Sequence, residues 1–372
     1  MSPLDALLLL GGFALLVGGG EVLVRGASGL ARAVGLSPLV VGLTVVSFAT
    51  SAPELAVSVD AALSGSPGLA VGNVVGSNIA NVLLVLGVSA LVTPLVVRSR
   101  VVRLDVPVMI ALSVAFLILA QDGVISTLDG VLLLGALVLY VVRAIVASRR
   151  PRAGRVTAPK DASEPGSKRP VWMDAGLVAV GVGMLVLGAN WLVESATSIA
   201  GAFGVSDLVI GLTVVAIGTS LPELATSIIA VRRGERDLAV GNVVGSNIFN
   251  IGSVLGLTAV ISPGGVPVAD AAITFDIPFM VVVGIAVLPI VYTGAAVARW
   301  EGALFVGYYT AYTGYLLLDS AEHDSLPQFS AVMLSFVVPL TVITLGVLSV
   351  AEFRRRSQRP PVPRSERRRQ GP

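Results

Sequence analysis

GNVVGSNIAN occupies residues 72–81, and GNVVGSNIFN occupies residues 241–250. Nine of ten positions agree across a separation of 169 residues. Each copy is polar and glycine-rich, yet sits inside a strongly apolar sequence. Residues 42–94 align with 211–263 without a gap, and 31 of 53 positions are identical. Within that alignment GLTVVSFATSAPEL (42–55) pairs with GLTVVAIGTSLPEL (211–224). One structural unit is therefore present twice.

The unit belongs in a membrane. Of 372 residues, 55% are hydrophobic and 13% are charged, about half the charged fraction of a soluble domain. Apolar runs of about 20 residues, the length that crosses ~30 Å of hydrocarbon, repeat from end to end. Runs such as VLLLGALVLYVV (131–142) do not alternate, which excludes a porin-type barrel. Cysteine is absent, excluding disulfides and thiolate metal sites, and the single histidine, His323, excludes a histidine cluster. No basic residue precedes the first apolar run, so it reads as a membrane helix and not as a cleaved signal. Eleven spans are expected, near 4–24, 38–62, 69–93, 104–120, 124–146, 173–200, 207–231, 238–261, 275–293, 300–318 and 329–351.

On this count all 25 Lys and Arg residues fall on one side, with Arg25 and Arg32 following the first span. The opposite connections hold Asp122, Asp129, Asp207, Asp270, Asp319, Glu322 and Asp324. The positive-inside rule then puts the N-terminus outside the cell membrane and the C-terminus in the cytoplasm. The expected organisation is a five-helix repeat at 1–148, with its block at 42–94, and a basic cytoplasmic linker at 149–172. A second five-helix repeat follows at 173–320, with its block at 211–263. An extra transmembrane helix at 326–351 and a disordered basic cytoplasmic tail at 352–372 complete the chain. The arginines sit where orientation demands them, so nucleic acid is not an expected partner. The linker reads as a flexible cytoplasmic connection, since its Pro, Gly and Ser content resists a packed core; contact with anionic lipid is the sharper alternative, and no obligate protein partner is evident.

Five spans, an odd number, separate equivalent helices, so the two units run in opposite directions. The fold class is an all-α polytopic membrane protein with inverted-topology repeats. Such repeats are characteristic of secondary transporters, whose sites lie at the repeat interface near the bilayer midplane.

The repeated segments carry the chemistry. Pro53 and Pro222 fall in mid-span, each followed by a glutamate, Glu54 and Glu223. Proline removes a backbone donor and clashes with the preceding turn, so carbonyls near Ser47–Thr50 and Ala216–Thr219 are expected to be freed. A carboxylate at mid-bilayer costs ~2.5–3.5 kcal/mol on insertion scales, and two at mirrored depths argue for a bound counterion. Carboxylate, hydroxyl, amide and carbonyl oxygens favour Ca²⁺, Na⁺ or Mg²⁺ over softer metals, and a dry cage of many oxygens favours Ca²⁺. Gly72 and Gly76, like Gly241 and Gly245, have the spacing that lets helices approach closely. Ser77, Asn78 and Asn81, with Ser246, Asn247 and Asn250, add neutral oxygens. No Walker lysine and no nucleophile–base pair is present, so the chain does not read as an enzyme.

The paired blocks resemble the α-repeats of the cation/Ca²⁺ exchanger superfamily, in particular its prokaryotic Na⁺/Ca²⁺ exchanger branch. The resemblance covers spans one to ten and implies a ten-helix core, to which the eleventh span is an addition. It implies that the broken second and seventh helices, with the third and eighth, form a diamond of four sites. By that likeness Glu54 and Glu223 bind Ca²⁺ and Na⁺, and Thr50 and Thr219 lend backbone oxygens. Ser51, Ser77, Ser220 and Ser246, with the two threonines, shape flanking Na⁺ sites, and the carbonyls of Ser47 and Ala216 contribute.

Many members carry an aspartate at the end of one GSNI block, where this chain has Asn81 and Asn250. Two formal carboxylates remain, enough to neutralise one Ca²⁺, whereas three Na⁺ would leave one positive charge in excess. The missing acid argues against K⁺ dependence. The function implied is antiport of Ca²⁺ against Na⁺ by alternating access, with these ions as the only ligands and no cofactor. An H⁺/Ca²⁺ exchanger is the alternative, although its relatives place an acid inside the GN block. A cation channel is the distant alternative, and it gives no reason for an inverted duplication.

Overall fold

A computed structural model describes residues 3–149, 170–203, 216–294, 296–320 and 326–333, with isolated positions from 335 to 350. Asp207, His323, the linker from 150 to 169, the tail from 351 and part of the expected eleventh span lie outside them.

The described chain is almost wholly helical. In the first half the helices are α1 (Pro3–Val34), α2 (Pro38–Thr50), α3 (Ala52–Leu63), α4 (Leu69–Val92), α5 (Val101–Asp122) and α6 (Thr127–Arg149). The second half has α7 (Val171–Ala202), α8 (Ala216–Thr219), α9 (Leu221–Arg232), α10 (Arg236–Ile261), α11 (Ala272–Val291), α12 (Arg299–Ser320) and α13 (Leu326–Val332). Seven of these are long and apolar enough to cross a membrane, or eight if the bent pair α2–α3 counts as one span.

The first span is longer than its apolar run suggests. α1 and α7 have 32 residues each, about 48 Å at ~1.5 Å per residue. Arg25 and Arg32 therefore lie on α1 itself, not in a connection after it. Apolarity reports immersion, whereas a helix stops where the backbone can turn. Gly35, at φ +69°, supplies the left-handed residue that ends α1. Ser37 then caps α2, its hydroxyl accepting the Val40 N–H at 3.3 Å, with Pro38 at the first helical position.

Two observations show the repeats inverted. A Cβ on Gly12, Gly19 or Gly26 of α1 would lie within 2.9 Å of the carbonyl of Gly188, Gly181 or Asp174 of α7, respectively. One series rises as the other falls, so these equivalent helices cross antiparallel along a small-residue seam. The strands give the second observation. β1 (Leu95–Val96) and β2 (Val124–Ile125) stand at opposite ends of the 22-residue α5. β1 pairs with β4 (Ala296–Val297), and β2 pairs with β3 (Val266–Pro267). β3 follows the second block as β1 follows the first, yet it pairs at the other end of α5.

α4 and α10, which carry the decapeptides, form the centre. Their central windows are 78% and 83% buried, against 28–39% for the other spanning helices. Gly241 and Gly245 allow this packing on one side. A Cβ on Gly241 would lie 2.6 Å from the Leu39 carbonyl, and one on Gly245 would lie 2.8 Å from the Leu43 carbonyl. α10 consequently rests directly on α2. Around Gly72 and Gly76 the described residues leave open space; the segment equivalent to α2, 207–215, lies outside them.

Candidate ion-binding site

The mid-span breaks fall at Ser51 (φ −82°, ψ 1°) and Ser220 (φ −89°, ψ 3°), two residues before each proline. α2 and α3 bend by 40° there. Pro53 and Pro222 lie in the first turn of the second half-helix, where a missing N–H costs nothing. The expected release of the Ser47 carbonyl does not occur: it accepts the Ser51 N–H at 2.9 Å and the Thr50 hydroxyl at 3.4 Å. In the second repeat the Ser220 N–H turns to Ile217 O at 3.0 Å instead, tightening the turn opened by Ala216.

Glu54 and Glu223 are each in the first turn after a break, both 1% exposed. A half-helix N-terminus favours negative charge, which partly compensates two buried carboxylates. The glutamates are electrostatic neighbours, although they come from oppositely directed repeats. Ser77 stands beside Glu54, and Thr50 beside Glu223. The Thr50 hydroxyl also lies 3.1 Å from Asn242 Oδ1 and 3.3 Å from Ser246 Oγ. Ser47 Oγ donates to Gly42 O at 2.7 Å and to Asn242 O at 3.0 Å.

Buried polar atoms normally find partners, because an unpaired one forfeits its hydration. Most of the exceptions among the described residues are here: Ser51 Oγ, Glu54 Oε2, Ser77 Oγ, both side-chain ends of Asn81, Ser220 Oγ, both Glu223 oxygens and Asn250 Oδ1. Asn81 and Asn250 each open a π-helical turn, 81–86 and 250–255. Asn250 Nδ2 donates to Asn78 Oδ1 at 3.1 Å. Thr219 ends α8 immediately before the Ser220 break.

Four residues outside the expected set support the glutamates. Asn73 Nδ2 donates to Glu54 O at 3.0 Å and to Ser58 Oγ at 2.9 Å. Asn242 Nδ2 reaches Glu223 O at 3.5 Å and Ser227 Oγ at 3.2 Å. The signal was in the sequence: Ser58 and Ser227 each follow their glutamate by four residues, and the asparagine of each GN pair recurs 15 residues later.

The cluster offers two carboxylates ringed by hydroxyl, amide and carbonyl oxygens. No group of three or more His, Cys, Asp or Glu suited to a metal occurs among the described residues. Such a donor set suits hard cations that exchange quickly, not a tightly held transition metal.

Residues 4–146 and 173–318 match the family described as sodium/calcium exchanger protein. The chain belongs to the sodium/calcium exchanger family. This exchanger is 40% identical over 238 residues to the putative antiporter CaxA of Alkalimonas amylolytica, covering 64% of this chain and 75% of that one. It is 33% identical over 316 residues to the sodium/calcium exchanger MaX1 of Methanosarcina acetivorans, covering 75% and 89%. Its fold matches the sodium-calcium exchanger NCX_Mj, solved after soaking with Na⁺ and Sr²⁺. The TM-score is 0.71 at 30% identity, over 83% of this chain and 97% of that one. The exchanger is accordingly an integral membrane transporter of the cation/Ca²⁺ exchange type.

Proposed function

We propose that this chain exchanges Ca²⁺ for Na⁺ by alternating access, and that both ions compete for Glu54 and Glu223. The observation that carries the reading is the burial of two carboxylates, one from each inverted repeat, as electrostatic neighbours among oxygens without protein partners. One Ca²⁺ neutralises the pair. Thr50, Ser51, Ser77 and Asn81, with Thr219, Ser220, Ser246 and Asn250, complete the cage, and the carbonyls of Ser47 and Ala216 face it from the breaks.

Coupling follows from charge. An empty, doubly negative site is too costly to carry through a dry core, so the protein reorients only when loaded. Inward Na⁺ drives outward Ca²⁺, each Na⁺ charge releasing ~2.3 kcal/mol per 100 mV. With two carboxylates and three Na⁺, one charge would move uncompensated and transport would respond to voltage.

The architecture we assign is a ten-helix core of two five-helix repeats (1–148 and 173–320). A cytoplasmic linker at 149–172 joins them, and an eleventh helix at 326–351 precedes the cytoplasmic tail. The N-terminus lies outside. α1 and α7, meeting along their glycine seam, slide past the site to open it to alternate sides.

The test is ⁴⁵Ca²⁺ uptake into proteoliposomes with Na⁺, K⁺ and H⁺ gradients imposed separately. A Na⁺ gradient alone should drive uptake. Uptake driven only by H⁺ overturns the sodium assignment, and Ca²⁺ flux with no counter-ion gradient overturns antiport.

A further inference from the structure

A cavity of about 890 Å³, lined by none of the residues of the glutamate cluster, opens elsewhere in the fold. It lies where the end of α1, the start of α2, the start of α5 and the end of α6 converge. Arg32, Arg98, Arg100 and Arg149 line it, and among the described residues no acidic side chain does.

Two of these arginines are tied from behind. Arg98 forms an ion pair with Asp237. Arg100 lies 3.7 Å from the buried Asp105 and donates to the Ala144 carbonyl at 3.5 Å. Arg32 and Arg149 are exposed and have no ion-pair or hydrogen-bond partner among the described residues. Four guanidinium groups around one cavity repel one another unless an anion sits between them. Guanidinium forks match the tetrahedral oxygens of phosphate especially well.

The geometry points to a binding site for a phosphate-bearing anion, one that none of the exchange chemistry uses. The remaining lining favours a lipid source. Leu36, Leu39 and Leu104 place apolar surface beside the charges, as an anionic phospholipid with its headgroup among the arginines requires. The adjoining segment is a poor occupant, since residues 150–169 carry six basic and two acidic side chains.

The test uses the full chain in nanodiscs. Thermal unfolding is followed in phosphatidylcholine alone, with phosphatidylglycerol added, and with pyrophosphate added in solution. Native mass spectrometry counts retained lipid. The Arg32→Gln/Arg149→Gln double variant changes exposed residues and should fold; Arg143→Gln, exposed on α6 outside the cavity, is the control. The wild type and the control should gain ~3 °C or more on adding an anionic probe. The double variant should bind that probe about tenfold or more weakly, the loss of roughly one charge-assisted contact. A response to phosphatidylglycerol alone assigns the site to lipid, and a response to pyrophosphate assigns it to a soluble phosphate compound. No response to either probe, or an equal response in the double variant, overturns the inference. Neither readout depends on ion exchange, so its outcome is separate from that of the transport assay.

Discussion

Thr50 of the first repeat donates its hydroxyl proton to Asn242 Oδ1 of the second at 3.1 Å, while Asn242 Nδ2 reaches back to the Glu223 carbonyl. One amide thus ties the break in α2–α3 to the break in α8–α9. Its counterpart, Asn73, holds the Glu54 carbonyl through the same donor. Both asparagines should matter to exchange. Asn242→Ala should lower Ca²⁺ uptake roughly tenfold to a hundredfold, from its three side-chain hydrogen bonds, to Thr50, Ser227 and the Glu223 carbonyl, at ~0.5–1 kcal/mol each. Asn73→Ala should cost less. Equal effects in initial-rate uptake would show that the link to Thr50 contributes nothing.

Glu54→Gln and Glu223→Gln should each reduce Na⁺-driven ⁴⁵Ca²⁺ uptake by about a hundredfold or more, since each removes half of the charge that balances a divalent ion. Glutamine keeps the shape, so both variants should purify and unfold cooperatively. Substantial exchange by either one would remove that carboxylate from the ion site.

Asn250→Asp offers a test that does not need transport. The change removes the donor to Asn78 Oδ1 and sets a third carboxylate beside the cluster. Without divalent ions the variant should lose about 1–3 kcal/mol of stability. Ca²⁺ should restore more of its melting temperature than it adds to the wild type, as expected when a ligand binds the folded state. Identical melting shifts with Ca²⁺ and with a chelator would place residue 250 outside the cage.

Gly245→Ala should destabilise by about 1–3 kcal/mol, because the new Cβ would overlap the Ser47 hydroxyl and lie 2.8 Å from the Leu43 carbonyl. Gly183→Ala, on an exposed part of α7 with nothing within 4 Å, should be neutral or stabilising by up to ~1 kcal/mol. Thermal melts of the two proteins, purified in parallel, measure the contrast. Equal melting temperatures would mean that α10 does not rest on α2 at this glycine.

Tyr140→Phe addresses a buried polar contact away from the glutamates. The Tyr140 hydroxyl donates to Asp105 Oδ1 at 3.1 Å, and Asp105 Oδ2 has no hydrogen-bond partner. Removing that donor should lower stability by about 1–3 kcal/mol while leaving the apparent Ca²⁺ affinity within roughly twofold. A melting curve and an uptake titration on one preparation check both parts.

The linear order of residues by itself determined the membrane character, the duplication and the antiparallel relation of its copies. Those follow from apolar run lengths and from an odd number of spans between equivalent segments. It also singled out Glu54 and Glu223, because Pro-Glu in an apolar run is costly unless something compensates it. It did not determine where α1 ends, since apolarity does not mark the backbone turn at Gly35. Nor did it place the breaks at Ser51 and Ser220, which sit ahead of the prolines. Tertiary structure alone decided which polar groups meet. Thr50 and Asn242 are 192 residues apart, and they touch because Gly241 and Gly245 let α10 lie against α2. The crossed strand pairs and the arginine cavity have the same origin, since a contact between distant segments depends on how helices pack and leaves no local pattern to read.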